Sequence, residues 1–232
     1  MILSVKDVSK LLGISQKSVY RWIKEGRIPF QKIGDQYRFE RSELFEFAMR
    51  ERLRPNPALL QEADEASEVV ISQSLSDGGI FYRVEGSTKK DAISNSLNMI
   101  KGLDQGVTQP LLEMFLAREE LASTGIGDGI AIPHARGPLI GLVSRPLLSL
   151  SFLENPVEFQ ALDGKPVQAL FLLVSPTVRT HLRILGQLAF ALRDPVFKNI
   201  IQEQASRETI LRTLRDLEAG FPAVSKPDST KS

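Results

Sequence analysis

The sequence predicts an α/β protein in two parts, a small helical segment with a β-hairpin followed by a larger α/β sandwich. One observation is the break at Pro55-Asn56-Pro57, where proline removes amide donors and disfavours helix in the preceding residue. Another is charge: residues 1–54 hold 12 basic and 7 acidic residues, whereas residues 55–232 hold 17 and 21. The third is the alternation of helical and strand patterns after the break. We therefore predict domains at residues 1–54 and 67–220, a linker at 55–66 and a tail at 221–232.

The composition excludes several classes of site. The chain of 232 residues contains no cysteine, so it has no disulfide, no thiolate metal site and no cysteine nucleophile. Its longest apolar runs fall far short of the ~20 residues that span a bilayer, and no signal-peptide pattern stands at its start. We therefore expect a cytoplasmic protein.

The net charge of +1 is the sum of +5 in residues 1–54 and −4 in residues 55–232. Such asymmetry is typical of a nucleic-acid-binding module joined to another domain. The alternative is a chance clustering of charge on a small surface.

Two short helices open the first part. Ser4 and Asp7 have the spacing of a capped helix start, and Gly13 ends that helix. Ser15 caps a second helix, which closes at Gly26. The second helix has an apolar face of Val19, Trp22 and Ile23. This spacing assigns Trp22 to the core rather than to base stacking.

A hairpin and a third helix follow. Gly34-Asp35 is a tight-turn signal between strand-forming residues, and Ser42 starts a helix with the apolar set Leu44, Phe45, Phe47 and Ala48. In this arrangement the second helix is suited to the major groove of duplex DNA. The hairpin after it, called the wing, can place basic side chains near the phosphates. The candidate DNA contacts are Gln16, Lys17, Ser18, Tyr20, Arg21, Lys24, Lys32 and Arg38.

The first fifty residues resemble the MerR/excisionase-type winged helix-turn-helix family. The resemblance depends on the order helix, glycine, polar cap, helix, Gly-x-x-Pro and hairpin, which runs through residues 5–15, 19–29 and 34–39. It implies binding to duplex DNA, and half-site geometry favours a homodimer. The alternative is a helix-turn-helix that contacts protein instead of DNA.

The second part alternates helices and strands. Apolar periodicity predicts a helix near Ser67–Leu75, a strand at Phe81–Glu85, a helix capped by Ser87 that ends near Ile100, and a helix that begins at Pro110. Two strands follow at Leu147–Leu153 and Val167–Val174. The remaining helices are predicted at Val178–Leu192 and from Asp194 and Ser206.

A glycine-rich stretch leads to the first of the two histidines in the chain. Ile130-Ala131-Ile132 predicts a short strand, and Pro133 holds its last residue extended, so His134 follows a strand end on a stiff backbone. The glycines before it leave room for another molecule to approach the ring. A phosphoryl acceptor needs such an arrangement, a neutral imidazole nitrogen that is held rigidly and open on one side. The alternative is a structural histidine.

The second histidine, His181, falls on the first turn of the predicted helix at Val178–Leu192. A helix N-terminus offers amides and positive potential to an anion. If the strand ends meet this helix start, His181 faces a phosphoryl group on His134. A histidine-pair metal site lacks a third ligand at motif spacing.

Residues 67–218 resemble the enzyme IIA domains of the phosphoenolpyruvate-dependent phosphotransferase system, of the fructose/mannitol and nitrogen-regulatory type. The motifs that carry the resemblance are Arg118-Glu119-Glu120, residues 123–127, residues 129–134 and Thr180-His181-Leu182. It implies a three-layer sandwich, a mixed sheet with flanking helices. It also implies that His134 accepts a phosphoryl group from an HPr-type phosphohistidine and that His181 and Arg118 stabilise the phosphoryl charge. It implies no metal and no cofactor. The family often has glycine where this chain has Ala135.

Together these features predict a regulatory phosphocarrier whose first domain binds DNA. No cysteine and no membrane-spanning run are present, so the chain itself contains neither a phosphocysteine enzyme IIB nor a permease. A nitrogen-type regulatory role is therefore expected over sugar transport. Two alternatives remain: a transcription regulator whose IIA-like domain only senses or dimerises, and a transport component whose helix-turn-helix binds protein.

Overall fold

The computed structural model describes residues 2–51, 53, 70–135, 139, 143–161 and 163–221. These residues divide into two compact units, one within the first 53 residues and one over residues 70–219. The predicted linker at 55–66 lies outside the described residues, as does the predicted tail apart from Phe221. No helix in the described ranges is both long and apolar enough to cross a membrane.

The first unit contains three helices and a small antiparallel sheet. In chain order its elements are β1 (Ile2–Leu3), α1 (Val5–Leu12), α2 (Gln16–Lys24), β2 (Gln31–Ile33), β3 (Gln36–Glu40) and α3 (Arg41–Arg50). The strands lie in the order β1-β3-β2, and the turn between β2 and β3 is Gly34-Asp35, as predicted. The sequence-based order of helix, helix, hairpin and helix is therefore confirmed.

Local caps explain why the first two helices begin and end where they do. The Ser4 hydroxyl accepts from the amide of Asp7 at 3.3 Å, and the Asp7 carboxylate accepts from the Ser4 amide at 2.9 Å. Gly13 adopts φ 65° at the end of α1, a left-handed conformation that glycine takes without steric cost. Ser15 caps α2 by accepting from the amide of Ser18 at 3.1 Å.

The predicted apolar positions form the core of this unit. Val19, Trp22 and Ile23 are buried, and the Trp22 ring meets Phe47 of α3 edge to face at 5.4 Å between centroids. The predicted start of α3 at Ser42 is wrong by one residue, because the helix follows β3 directly and begins at Arg41.

The second unit is a mixed sheet with helices. Its elements are α4 (Ile71–Gly78), β4 (Ile80–Val84), α5 (Lys89–Met99), α6 (Gln105–Leu121), β5 (Gly125–Gly127), β6 (Ile130–Ala131), β7 (Leu147–Val157), β8 (Val167–Val174), α7 (Val178–Ala191), α8 (Pro195–Gln202) and α9 (Arg207–Glu218). The strands lie in the order β4-β7-β8-β6-β5. β4 is parallel to β7 and β6 is parallel to β8, whereas β7 with β8 and β5 with β6 are antiparallel.

Helices cover the sheet on both faces. Side chains of α5 and α6 form one buried cluster with alternate residues of the central strands, among them Leu147, Leu153, Leu170 and Leu172. The residues between these, such as Leu148, Leu150 and Phe171, point to the opposite face and are also fully buried. Burial on both faces gives these strands runs of consecutive apolar residues, such as residues 169–174 of β8, which is why the sequence identifies them.

Several predicted boundaries of the second unit need correction. The first helix begins at Ile71 rather than near Ser67, and residues 67–69 lie outside the described part of the chain. Thr88 rather than Ser87 caps α5, because in a capping box the acidic residue stands three positions after the capping residue, and Asp91 is three positions after Thr88. The strand predicted at Leu147–Leu153 continues to Val157.

The helix predicted to begin at Pro110 begins five residues earlier. Asp104 is the cap of α6, and its side chain accepts from the amide of Gly106 at 2.8 Å. Pro110 therefore lies inside the helix, where its ring removes one backbone hydrogen bond. The apolar spacing of this helix predicts a buried face of Leu111, Leu112, Phe115 and Leu116, of which the first three are buried and Leu116 is half-buried.

Candidate functional site

The backbone around His134 pairs with β8, the central strand of the sheet. The segment after β6 continues beside β8, where His134 pairs with Leu173 and the Pro133 carbonyl accepts from the Leu173 amide at 3.1 Å. Because β6 and β8 are parallel, their carboxyl ends lie side by side at the same edge of the sheet, the one formed by the strand ends. His134 is therefore held at that edge, as the sequence predicts.

The hydrogen-bond partner of Nδ1 determines which nitrogen of the His134 ring carries the proton. Nδ1 lies 2.7 Å from the carbonyl oxygen of Ile132, and the side chain is 3% exposed. A carbonyl oxygen only accepts, so Nδ1 must carry the proton and donate it. In the neutral ring the lone pair then resides on Nε2, which makes Nε2 the nucleophilic nitrogen.

His181 reaches the same edge from the helix that follows β8. Only three residues separate Val174 from α7, which Thr177 caps by accepting from the Thr180 amide at 3.1 Å. His181 lies on the first turn, with its own amide bonded to the Thr177 carbonyl at 3.0 Å. The two imidazole rings stand 5.0 Å apart between centroids and are inclined at 60°. The conditional prediction that the strand ends meet this helix start is thus confirmed by the geometry.

Arg118 occupies the last turn of α6 and is buried. Its Nη1 donates to the carbonyl oxygen of Ala122 at 2.7 Å, which closes the C-terminal end of the helix. Its approach to a phosphoryl group on His134 stays a prediction.

Glu119, beside Arg118, is a residue that sequence reasoning did not single out. Its carboxylate accepts from the amide and the hydroxyl of Thr124 at 2.9 and 2.6 Å, and from Lys89 Nζ at 3.2 Å. It is only 6% exposed. Acidic residues in a charged motif usually lie on the surface. Only the position of Glu119 near the end of a helix could have indicated that its carboxylate binds Thr124 and Lys89 in the interior.

The glycine-rich stretch serves close packing within the chain, whereas the open side that the sequence predicts for the His134 ring is not found, because His134 is buried. A side chain at Gly125 would bring its Cβ to 2.8 Å from the Cβ of Ala161, so glycine is needed for this contact. At the turn between β5 and β6, Lys198 pairs with Asp128 at 3.0 Å. The Asp128 amide donates to Asp163 at 2.8 Å, which lowers the pKa of the Asp163 carboxyl below its ordinary 3.8.

In the first unit, the predicted DNA-contact surface is largely exposed on α2. Gln16, Lys17, Tyr20, Arg21 and Lys24 are all exposed, and Lys32 is exposed on β2. Three of the eight candidates also serve the fold. Ser18 takes part in the cap of α2, Arg21 lies 3.9 Å from Glu25, and Arg38 is half-buried against Gln36.

An aromatic cluster joins the exposed face of α2 to the wing, and the sequence pattern did not reveal it. Tyr37 of β3 meets Tyr20 at 6.1 Å and Phe30 at 5.2 Å between ring centroids, both edge to face. Tyr20 is distant in sequence from Phe30 and Tyr37, so no local pattern predicts their contact. Only the alternation of side chains along the hairpin strands indicates which way Tyr37 points.

Comparison with known proteins agrees with this architecture. Residues 73–217 match the family model described as "Phosphoenolpyruvate-dependent sugar phosphotransferase system, EIIA 2", and residues 2–52 match a helix-turn-helix domain. The first match covers well over half of the chain. The chain belongs to the EIIA 2 family. The family and the mixed α/β fold that the sequence predicts are therefore confirmed.

The similar proteins correspond to the second unit of this EIIA protein. A nitrogen regulatory protein of Pseudomonas aeruginosa is 35% identical over 153 residues, which is 65% of this chain and 97% of that protein. A nitrogen regulatory protein of Bradyrhizobium diazoefficiens is 30% identical and covers 69% of this chain and 97% of that protein. The crystal structure of nitrogen regulatory protein IIA-Ntr from Neisseria meningitidis matches with a TM-score of 0.54 at 29% identity, over 63% of this chain and 99% of that one. About a third of this chain therefore has no counterpart in these relatives.

Proposed function

We propose that this EIIA protein is a cytoplasmic regulatory phosphocarrier that accepts a phosphoryl group on Nε2 of His134 from an HPr-type phosphohistidine. The observation that carries the proposal is the hydrogen bond between His134 Nδ1 and the Ile132 carbonyl, with the His181 ring beside it. This bond directs the lone pair to Nε2 and orients the ring. Family membership supports the same chemistry, since the matched family belongs to the phosphotransferase system.

In the proposed step, the Nε2 lone pair attacks phosphorus while the bond between phosphorus and the donor histidine nitrogen breaks. The bonding electrons return to the donor imidazole, so one N–P bond replaces another and no other reactant is consumed. Phosphoryl transfer depends mainly on positioning and charge stabilisation. The positive N-terminal end of the α7 dipole, the His181 ring and the predicted approach of Arg118 would supply that stabilisation.

The first unit would then bind duplex DNA through the exposed face of α2. Three cations, Lys17, Arg21 and Lys24, lie on that face, and Lys32 adds a fourth on the wing. The two relatives described above are named nitrogen regulatory proteins, and fructose-specific phosphotransferase components also match, at 28% and 31% identity. The higher identity of the Pseudomonas aeruginosa protein favours a regulatory output over sugar transport.

Phosphorylation in a purified system tests the acceptor. With phosphoenolpyruvate, enzyme I and HPr, we expect an acid-labile label on the wild type and no label on His134→Ala. His181→Ala is the matched control, because it removes the other histidine of the chain. It should still be labelled, about 10- to 100-fold more slowly, since it loses charge stabilisation but keeps the nucleophile. Equal labelling of His134→Ala and the wild type would refute the proposal.

Coupling between the two activities needs a separate test. A phosphoryl group adds roughly −1.5 to −2 charges at neutral pH. We therefore expect phosphorylated and unmodified protein to differ in DNA affinity in a gel shift at matched salt. Equal affinity would leave the phosphocarrier proposal intact but would remove phosphorylation as the control of DNA binding.

A further inference from the structure

We propose that Glu119 is a positioning residue for phosphoryl transfer, which acts on the His134 ring through Thr124 and Ile132. This inference rests on the proposed function of His134. Glu119 lies on the last turn of α6, and both of its carboxylate oxygens are occupied by Thr124 and Lys89, so any effect on transfer must pass through other residues of the chain.

A continuous path of hydrogen bonds joins the Glu119 carboxylate to the His134 ring. Oε2 of Glu119 accepts from both the amide and the hydroxyl of Thr124. The Thr124 carbonyl accepts from the Ile132 amide at 3.1 Å, and the Ile132 carbonyl accepts from His134 Nδ1 at 2.7 Å. Each link fixes the donor or acceptor of the next, so a displacement of Thr124 moves the carbonyl that sets the His134 tautomer.

The charge of Glu119 is what makes the first link strong. Hydrogen bonds to an ionised acceptor are roughly twice as strong as those between neutral groups, and a buried carboxylate requires such partners. Its second oxygen accepts from Lys89 at the start of α5, and the Lys89 ammonium also lies 5.7 Å from the centre of the Phe159 ring. Glu119 therefore ties α5 and α6 to the segment that leads into β5.

A glutamine cannot replace this carboxylate, although it has the same shape. The carboxylate accepts on both sides, from Thr124 on one oxygen and from Lys89 on the other. An amide presents an acceptor on one side and a donor on the other, so one of the two contacts becomes donor against donor. If Thr124 is released, the Ile132 carbonyl no longer holds the proton on Nδ1, and part of the His134 population is protonated on Nε2 instead.

The test compares Glu119→Gln with Glu120→Gln in the full chain. Glu120 is the adjacent residue and is exposed, so the control makes the same chemical change on the surface. With phosphorylated HPr as donor, we expect Glu119→Gln to lower the maximal transfer rate about 10- to 100-fold and to leave the KM for the donor unchanged. Glu120→Gln should retain the wild-type rate.

Imidazole nitrogen NMR supplies a readout that does not depend on transfer. Because the chain has two histidines, His181→Ala assigns the spectrum. We expect a protonated Nδ1 and an unprotonated Nε2 for His134 in the wild type, and a mixture of the two tautomers in Glu119→Gln. If neither the wild type nor any variant accepts a phosphoryl group, the proposed function fails, whereas a tautomer shift in Glu119→Gln would still show that Glu119 orients the His134 ring.

Thr124 provides a second pair of variants, which applies even if Glu119→Gln does not fold. Thr124→Val removes the hydroxyl donor and keeps the shape, whereas Thr124→Ser keeps the donor. We expect Thr124→Val to shift the tautomer and slow transfer, and Thr124→Ser to restore both. An unchanged His134 spectrum and wild-type rate in Glu119→Gln, or in Thr124→Val when Glu119→Gln is unfolded, would overturn the proposal.

Discussion

Two serine hydroxyls lie in the most buried part of the sheet. Ser149 and Ser151 of β7 are fully buried, and neither Oγ has a hydrogen-bond partner among the described residues. They alternate with the apolar residues that face the opposite side, so they share the face of Leu147 and Leu153 against α5 and α6. A buried polar group without a hydrogen-bond partner destabilises the folded state and so lowers the free energy of unfolding.

We therefore expect Ser151→Ala to raise the free energy of unfolding of the second unit by about 1 kcal/mol, because it removes an unpaired hydroxyl and little volume. Urea unfolding followed by circular dichroism measures the change. The matched control is Ser72→Ala, whose hydroxyl donates to Glu218 at 2.8 Å. It should lower the free energy of unfolding by about 1 to 2 kcal/mol. A loss of stability in Ser151→Ala as large as that of Ser72→Ala would contradict the expectation.

The sequence identifies residues whose chemistry is rare and whose neighbours are distinctive. His134 and His181 are the two histidines of the chain, and a short strand with proline and a helix start place them where the structure finds them. Glu119 is one of 28 acidic residues, and its burial depends on Lys89 and Thr124, which approach it only in the folded unit. Long-range partners of this kind leave no pattern in the sequence.

At the scale of the element, the cap of α1 makes the first unit sensitive to acid. Asp7 accepts from the hydroxyl of Ser4 at 2.6 Å and from its amide at 2.9 Å. These bonds lower the pKa of Asp7 below its ordinary 3.8. A carboxyl with a lowered pKa in the folded state stabilises it above the ordinary pKa, and that contribution is lost as the pH falls through the folded value.

Asp7→Asn tests this contribution. We expect it to destabilise the first unit at pH 6, and the difference from the wild type to be smaller at pH 3, because the contribution of Asp7 is lost as the pH falls from its ordinary pKa of 3.8 towards its lowered pKa in the folded state. The fluorescence of Trp22 reports unfolding of this unit alone, because the chain has no other tryptophan. Asp35→Asn makes the same change at an exposed turn and should show a smaller effect at pH 6. A destabilisation by Asp7→Asn that is equal at both pH values would contradict the assignment.

Elements with local signals were predicted well, and elements that depend on distant partners were not. The helix starts at Ser4, Ser15, Asp194 and Ser206 occur where the sequence predicts them, because each capping side chain and the amide it bonds lie within three residues. Strand β5 was missed, since its glycines disfavour a strand and only pairing with β6 creates it. The start of α6 was misplaced, because proline is typical of a first turn but here lies within the helix.

At the scale of the whole molecule, the opposite charges of the two parts predict how DNA binding responds to salt. Binding to duplex DNA releases counterions, so the affinity falls with salt in proportion to the number of phosphates contacted. In this chain the relevant cations are a local set on α2 and the wing, whereas the net charge of the whole molecule is only +1. If the local set governs binding, removing a positive charge elsewhere on the surface leaves the salt dependence unchanged. If the net charge governs binding, such a substitution has the same effect as one on α2.

Lys17→Ala, Lys24→Ala and Lys101→Ala separate the two. All three remove one positive charge from an exposed side chain, but Lys101 lies in the second unit, between α5 and α6. In a salt titration of DNA affinity with the full chain, we expect each α2 substitution to weaken binding and to reduce the slope of log affinity against log salt by about 1. Lys101→Ala should leave the slope unchanged. If all three variants shift the slope equally, net charge rather than the α2 surface governs binding, because only a specific surface distinguishes equal charges at different positions.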